Sequence, residues 1–259
     1  MDLGIAGRKA IVCASSRGLG RGCAQALAEA GCEVVLNGRD AKVLEAAAAE
    51  LRQKTGAKIT AVAADVATAA GQAALLAACP EPDILVNNNA GPPFRDFRQL
   101  TREMMIEGVI ANMVVAVELT QKVIDPMVRR KFGRIVNITS GSVKMPLAGL
   151  DLSSGARAGL TAFFAGVARS VAAHNITINF LLPGPFDTER LTTNIAANAK
   201  SKGIPLEQAR AERMAVVPAK RFGTAEEFGA ACAFLCSQQA GFITGQNLLM
   251  DGGQFQGAF

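Results

Sequence analysis

Apolar positions follow two periods along this chain. Short apolar runs at 10–13, 33–37, 58–63, 83–87, 134–139, 176–181 and 247–250 have the length of buried strands. Between them, apolar residues return at three- and four-residue spacing, as on one face of a helix. The pattern predicts helices over 21–30, closed by Gly31; over 41–55, ended near Gly56; and over 69–79, stopped by Pro80 and Pro82. A long helix is expected over 102–130, with Ile106, Val109, Ile110, Met113, Val114 and Val117 as its apolar stripe. Another covers 154–174, carrying Leu160, Phe163, Phe164, Val167 and Val171, and Phe228, Cys232, Leu235 and Cys236 mark the last.

Strand and helix alternate with no linker, so the expected fold is one α/β domain over 1–259. Right-handed crossovers then give a doubly wound, mostly parallel sheet of about seven strands with helices on both faces, a Rossmann fold. The run 83–87 is apolar without alternation, which suits a strand covered on both sides. One connection is long: 185–219, with two short helices expected near 190–198 and 205–214. It follows a strand's carboxyl end, where ligands bind in such sheets, so it reads as a substrate lid. The plainer alternative is an excursion that only covers the core.

Composition narrows the class. Half of the 259 residues are hydrophobic, enough for a sizeable core, and 27 Lys and Arg against 22 Asp and Glu leave a net charge of +5. That mild excess suits a polyanionic ligand, and no basic run or basic–aromatic patch points to nucleic acid. The six cysteines form no C-x-x-C pair and read as small core residues rather than a metal site. Free thiols favour a reducing compartment. No leader is seen at the start and no apolar run reaches membrane-spanning length, so a cytoplasmic protein is expected.

The stretch from Lys9 to Gly20 carries the first chemistry. A strand turning sharply into a helix aims free backbone N–H groups at one point, and the helix dipole adds positive potential there. Gly18 lets the backbone approach a ligand, and Gly20 lets the helix pack tightly on the strand.

The spacing Ala14-x-x-x-Gly18-x-Gly20 resembles the turn of the short-chain dehydrogenase/reductase family, with Ala14 in place of the first glycine. Further matches follow in the family's order: Asp65-Val66; Asn87-Asn88-Asn89-Ala90-Gly91; Asn112; Ser140; Pro183-Gly184 and Thr188; and Asp251-Gly252-Gly253. The resemblance runs from about Gly7 to Gly253. It implies NADP(H) as cofactor, with Ala14, Ser16, Arg17, Gly18, Leu19 and Gly20 at the phosphates. Asn37 and Arg39 would lie at the adenosine ribose, Asp65 and Val66 at the adenine, and Asn88, Asn89 and Ala90 at the ribose after the fourth strand. Pro183, Gly184, Phe186 and Thr188 would lie near the nicotinamide, and Arg157 would hold ribose hydroxyls. The asparagine run fits the family pattern in two ways, starting at Asn87 without an insertion or at Asn88 with one. Asp65 alternatively caps the helix beginning near Thr68. An acid usually ends the second strand to bind the ribose 2′-hydroxyl. Here Gly38 takes its position and Arg39 follows, so Arg39, with Arg17, suits a 2′-phosphate; Asp40 works against this.

The catalytic pattern is broken. The family uses a serine to polarise the carbonyl, a tyrosine to donate the proton, a lysine four residues later, and an asparagine in a water relay. Ser140 and Asn112 match the serine and the asparagine, whereas Ser153 and Arg157 stand where tyrosine and lysine are expected. The chain contains no tyrosine, so no shift of alignment restores one. Tyrosine titrates near ~10, and a serine hydroxyl is a far weaker acid. Lys144, four residues after Ser140, is the substitute acid to consider, since shielding and a nearby Arg157 would depress its pKa. Ser153, Ser154 and water are weaker candidates, Asp151 would orient Arg157 or Lys144, and His174 reads as a surface residue. Met145, Leu147, Leu150, Phe186 and Leu191 suggest an apolar pocket wall for a small carbonyl compound, such as a 3-oxoacyl substrate. The implied function is an NADP(H)-dependent oxidoreductase similar to 3-oxoacyl-carrier-protein reductases, with an atypical site. The alternatives are an NADP(H)-binding sensor and a non-redox lyase or isomerase. A homotetramer is implied, with Phe163 or Phe164 near an interface.

Overall fold

A computed structural model describes residues 2–257. Seven parallel strands form one sheet in the order β3-β2-β1-β4-β5-β6-β7: β1 Lys9–Val12, β2 Glu33–Gly38, β3 Ile59–Ala63, β4 Ile84–Asn87, β5 Gly133–Ile138, β6 Ile176–Pro183 and β7 Asn247–Met250. The order reverses between β1 and β4, where Ala10 pairs with Val34 on one side and Ile84 on the other. Neighbouring crossovers leave that point in opposite directions, which opens a crevice at the strands' carboxyl ends.

Side chains alternate across each strand, and both faces are buried. Ala10, Val12, Leu36 and Val86 pack with α1 Gly18–Glu29, α2 Ala41–Thr55 and α9 Ala225–Cys236. Ile11, Cys13, Leu85 and Ile135 face α3 Ala69–Ala78, α5 Val115–Arg130 and α6 Asp151–Val171. A fully buried Leu, Val or Ile contributes about 1.5–3 kcal/mol, so continuous apolar runs are what this sheet requires. All six cysteines are buried and free, and burial pushes the Cys13 and Cys32 thiols up to about 12. They are small core residues, as read from the sequence.

Several elements depart from expectation, among them α6, which begins at Asp151 rather than at 154. The helix after the glycine-rich turn begins at Gly18 rather than at 21. The long helix is three pieces: α4 Arg102–Val109, a π-helical turn Ile110–Val114, and α5. A π turn inserts a residue into the helical repeat and rotates the phase of everything before it. The stripe read from the sequence is therefore displaced: Ile106, Val109 and Ile110 are exposed, Met113, Val114 and Val117 are half-buried, and the buried positions are Asn112, Val115, Leu119 and Val123. Gly108 is the contact of α4 with α6, and a Cβ there would stand 2.5 Å from Leu152 Cδ2.

The stretch 185–219 forms α7 Glu189–Lys202 and α8 Leu206–Ala215. This pair has its own apolar cluster of Ile195, Ala199, Ala209, Val217 and Phe222. No helix among the described residues is long and apolar enough to cross a membrane.

Candidate active site

The turn between β1 and α1 is built from backbone. Ala14 has φ 44°, in the left-handed region, uncommon for a residue with a Cβ. It is held from both sides: its N–H donates to Asn37 Oδ1 at 3.2 Å, and its carbonyl accepts from Asn88 Nδ2 at 3.1 Å. A Cβ on Gly20 would lie 2.4 Å from that same carbonyl oxygen, so only glycine lets α1 begin this close to β1. Gly18 has φ 59°, and Arg17, at the N-cap position, gives no side-chain cap. The first N–H groups of α1 are thus left to a ligand, and this cradle fits a phosphate. Beyond it, Leu19 packs against the core.

The end of β2 divides into a brace and an open charge. Asn37 is buried, and its Nδ2 donates to the carbonyls of Val62 and Ala64 at 3.2 and 2.9 Å. Its side chain is fully engaged under the turn, a structural role the sequence reading did not give it. A Cβ on Gly38 would come within 3.2 Å of Ser16, so glycine keeps this corner open. Arg39 is exposed and makes no hydrogen bond or ion pair among the described residues. Asp40 caps α2, accepting from the N–H groups of Lys42 and Val43 at 3.0 and 3.1 Å. Arg17 instead pairs with Glu189 of α7.

At the neighbouring strand ends, Asp65 Oδ1 accepts from Ala67 N–H at 2.9 Å. Thr68, not Asp65, caps α3, and the Val66 side chain is buried. Pro183 ends β6 and Gly184 N–H donates to Met250 O at 2.8 Å. Thr188 caps α7, and its methyl lies 3.8 Å from where a Cβ on Gly18 would stand. That places the start of α7 against the glycine-rich turn. Phe186 is different: its ring packs edge-on against Phe228, centroids 5.1 Å apart, in the core. Only its backbone is left to a ligand, and it is not a pocket wall.

The asparagine run fans out. Asn87 Nδ2 donates to Asn137 Oδ1 at 3.0 Å, Asn88 reaches Ala14, and Asn89 Nδ2 donates to Ala111 O at 3.2 Å. Ala90 is exposed at the mouth. Asn112 lies in the π turn and donates to Gly108 O at 2.9 Å. The Oδ1 atoms of Asn87 and Asn112 are buried without a partner among the described residues. Both asparagines line a small cavity that also meets Arg157.

Beside this cavity opens an apolar cleft, lined by Leu100, Met104, Leu150 and Leu152 together with Asn112 and Ser153. Of the five residues expected as its apolar wall, Leu150 alone lines it; Leu147 is exposed and Leu191 packs on the α7–α8 cluster. Arg157 is buried, donating from Nε to Ser153 Oγ at 3.2 Å and from Nη1 to the carbonyls of Ile138 and Thr139 at 2.7 and 2.9 Å. Desolvation, then the nearby Arg190, pull its pKa down to about 10, so it stays charged at neutral pH.

Ser140 Oγ accepts from the hydroxyl and N–H of Ser142, at 2.9 and 3.1 Å. Lys144 turns elsewhere: its ammonium lies over the Phe255 ring, 5.6 Å from the centroid. It makes no hydrogen bond to Ser140, Ser153 or Arg157 among the described residues. Ser154 is spent on Leu150 O at 2.9 Å, Asp151 accepts from Gly149 N–H at 3.1 Å rather than orienting either cation, and His174 is exposed.

A family model described as enoyl-(acyl carrier protein) reductase matches residues 13–254. The chain belongs to the short-chain dehydrogenase/reductase family. It is 30% identical over 254 residues to the NADPH-dependent reductase BacG of Bacillus subtilis, covering 96% of this chain and 98% of that one. It is 32% identical over 253 residues to the 3-oxoacyl-[acyl-carrier-protein] reductase FabG of Chlamydia muridarum, covering 95% and 96%. The crystal structure of L-sorbose reductase from Gluconobacter frateurii, complexed with NADPH and L-sorbose, superposes with a TM-score of 0.92 at 29% identity, covering 99% of this chain and all of that one.

Sequence reasoning missed Arg190. It is exposed on the first turn of α7 and donates to the carbonyls of Gly91 and Pro92, both at 3.3 Å. Nearly a hundred residues separate these partners, so no local pattern in this short-chain dehydrogenase/reductase signals the contact.

Proposed function

We propose that the protein is an NADP(H)-dependent reductase of a small carbonyl compound with an apolar body, working through an atypical proton donor. The observation that carries the cofactor assignment is the uncapped, glycine-built start of α1 beside an Arg39 that has no partner among the described residues. The turn from Ala14 to Gly20 would hold the pyrophosphate, Arg39 the 2′-phosphate while Arg17 stays paired with Glu189, and Asp65 the adenine. Asn88 to Ala90 would face the ribose, and Pro183, Gly184 and Thr188 the nicotinamide. When bound, NADPH supplies a hydride to the carbonyl carbon.

The carbonyl oxygen then takes one proton from solvent, so a ketone becomes a secondary alcohol. Ser140 polarises that oxygen. Ser153 donates to it, and the charge of Arg157, one hydrogen bond behind, stabilises the anion that develops. The orphaned Oδ1 atoms of Asn87 and Asn112 suit a bound water that returns the proton to Ser153. Serine is a poor acid, so turnover is slow. Lys144→Ala separates this reading from the substitute-acid one: activity persists if Ser153 serves, and disappears with NADPH binding intact if Lys144 does. The α7–α8 pair acts as the lid. Ile106, Val109, Ile110 and Phe163 are exposed, whereas Phe164 is in the core; we assign the exposed set to a homotetramer interface, which light scattering tests. The free, buried thiols fit a cytoplasmic location.

The test of function is calorimetric binding of NADPH and NADH, followed by NADPH oxidation with 3-oxoacyl thioesters, cyclic ketones and aldehydes. Tighter NADPH binding with slow turnover is expected. Equal affinity for the two cofactors overturns the cofactor assignment. Tight binding with no turnover on any carbonyl favours the sensor reading.

A further inference from the structure

A guanidinium keeps its charge near neutrality, and a buried charge is costly unless it is paired. Arg157 is 8% exposed, and its partners are two carbonyls and one hydroxyl, with no carboxylate among them. Arg190 approaches from α7. Its Nη2 and Nη1 lie 3.1 and 3.3 Å from the point where a Cβ on Gly91 would stand, and Arg157 Nη2 lies 3.5 Å from that same point. Two cations from separate elements thus converge in front of Gly91, a residue lining the apolar cleft. Arg95 lines the same cleft, and neither it, Arg157 nor Arg190 has an ion-pair partner among the described residues. The nearby acids do not neutralise the pair. Glu189 is bound to Arg17, Asp151 to the Gly149 N–H, and Glu107 lines the cleft without reaching either guanidinium.

We propose that the substrate carries a carboxylate, gripped between Arg157 and Arg190, with its apolar body against Leu100, Met104 and Leu152. The substrate class is then a small oxo acid, and the proposal rests on the reductase reading above. Guanidinium forks match a planar carboxylate in two-point hydrogen bonds. Nη2 of Arg157 makes no hydrogen bond among the described residues, and an anion there supplies the charge that the fold omits. The carboxylate also bridges α7 to α6, reinforcing the hold that Arg190 already has on the Gly91 and Pro92 carbonyls.

The test uses the full chain with saturating cofactor. Turnover is compared for 4-oxocyclohexanecarboxylate, its methyl ester, its amide, and the phosphate ester of 4-hydroxycyclohexanone. In parallel, calorimetry measures cyclohexanecarboxylate against cyclohexanecarboxamide on the NADP+ complex. The carboxylate should be preferred about tenfold or more over its neutral forms in both measurements, a gain expected for charge-assisted hydrogen bonds. Arg190→Gln should bring that ratio toward one, and Arg190→Lys should keep part of it. Equal handling of acid and amide overturns the proposal. So does Arg190→Gln lowering acid and amide alike, which would make Arg190 only a latch. So does weaker NADPH binding with the ratio kept, which would give the cations to the cofactor. Preference for the phosphate ester overturns the carboxylate assignment. If nothing is reduced, the reductase reading fails by itself, and the calorimetric ratio still decides whether the cleft takes a carboxylate.

Discussion

The two halves of the site are made of different material. Around α1 the ligand surface is backbone: free N–H groups, a left-handed Ala14, and glycines whose missing Cβ atoms set the distances. Around α6 the surface is side chain: Arg157 and Asn112, held by hydrogen bonds to backbone carbonyls, and Ser153, whose Oγ accepts from Arg157. A backbone site persists as long as the fold does, since most side-chain changes leave N–H groups in place. A side-chain site can change its chemistry by two substitutions without disturbing the helix that carries them. That difference lets a chain keep its glycine-built turn while the side chains on α6 diverge, as Ser153 and Arg157 do here.

The largest effect should come from restoring the side-chain half. Ser153→Tyr with Arg157→Lys should raise NADPH oxidation by roughly 100- to 10,000-fold, the contribution of a positioned general acid. NADPH affinity, measured by calorimetry, should change little. Ser153→Tyr alone should do less, because Arg157 stays tied to Ile138 and Thr139. A double variant no faster than the parent would place the limitation elsewhere in the cleft.

Gly20→Val attacks the backbone half. Its Cβ would meet Ala14 O at 2.4 Å, so NADPH affinity should fall roughly 100-fold, or about 2.7 kcal/mol. Thermal unfolding of the same variant separates a lost cradle from a lost fold. Arg39→Asp should cost less: the preference for NADPH over NADH should shrink by about 10- to 100-fold, the range of a charge-assisted contact. Paired titrations of the two cofactors read it directly.

The smallest effect concerns what clamps α1. A Cβ on Gly22 would lie 2.1 Å from Ala225 O, so α9 packs on α1 at backbone contact. The start of α9 is a capping box of Thr224 and Glu227. Hydrogen bonds from Arg221, then from Thr224 N–H, hold the Glu227 carboxyl down to about 2. A depressed carboxylate stabilises the fold above its unfolded pKa, and this stabilisation fades as pH falls from about 4.5 toward 2. Glu227→Gln should cost about 1 kcal/mol at neutral pH, lowering Tm by about 2–4 °C. The gap to the parent should close in acid, as differential scanning calorimetry at several pH values would show.

The chain's own pattern determined the doubly wound sheet, its seven strands and the glycine-rich turn. These features are local: runs of four to eight apolar residues, and glycines whose spacing is set by one strand–helix step. The absence of tyrosine is likewise a fact of composition. Tertiary structure decided which face each apolar residue meets. The π turn at Ile110–Val114 rotated the stripe of α4 outward, and such a turn leaves no residue signature. Asn37 and Phe186, expected at the cofactor, have side chains committed to bracing and core, because their partners lie on elements distant in sequence. The meeting of Arg157 with Arg190 across the Gly91 loop has the same origin. Long-range charge pairs are set by how helices cross a sheet, and only the folded chain brings these two cations to one point with no acid paired to either among the described residues.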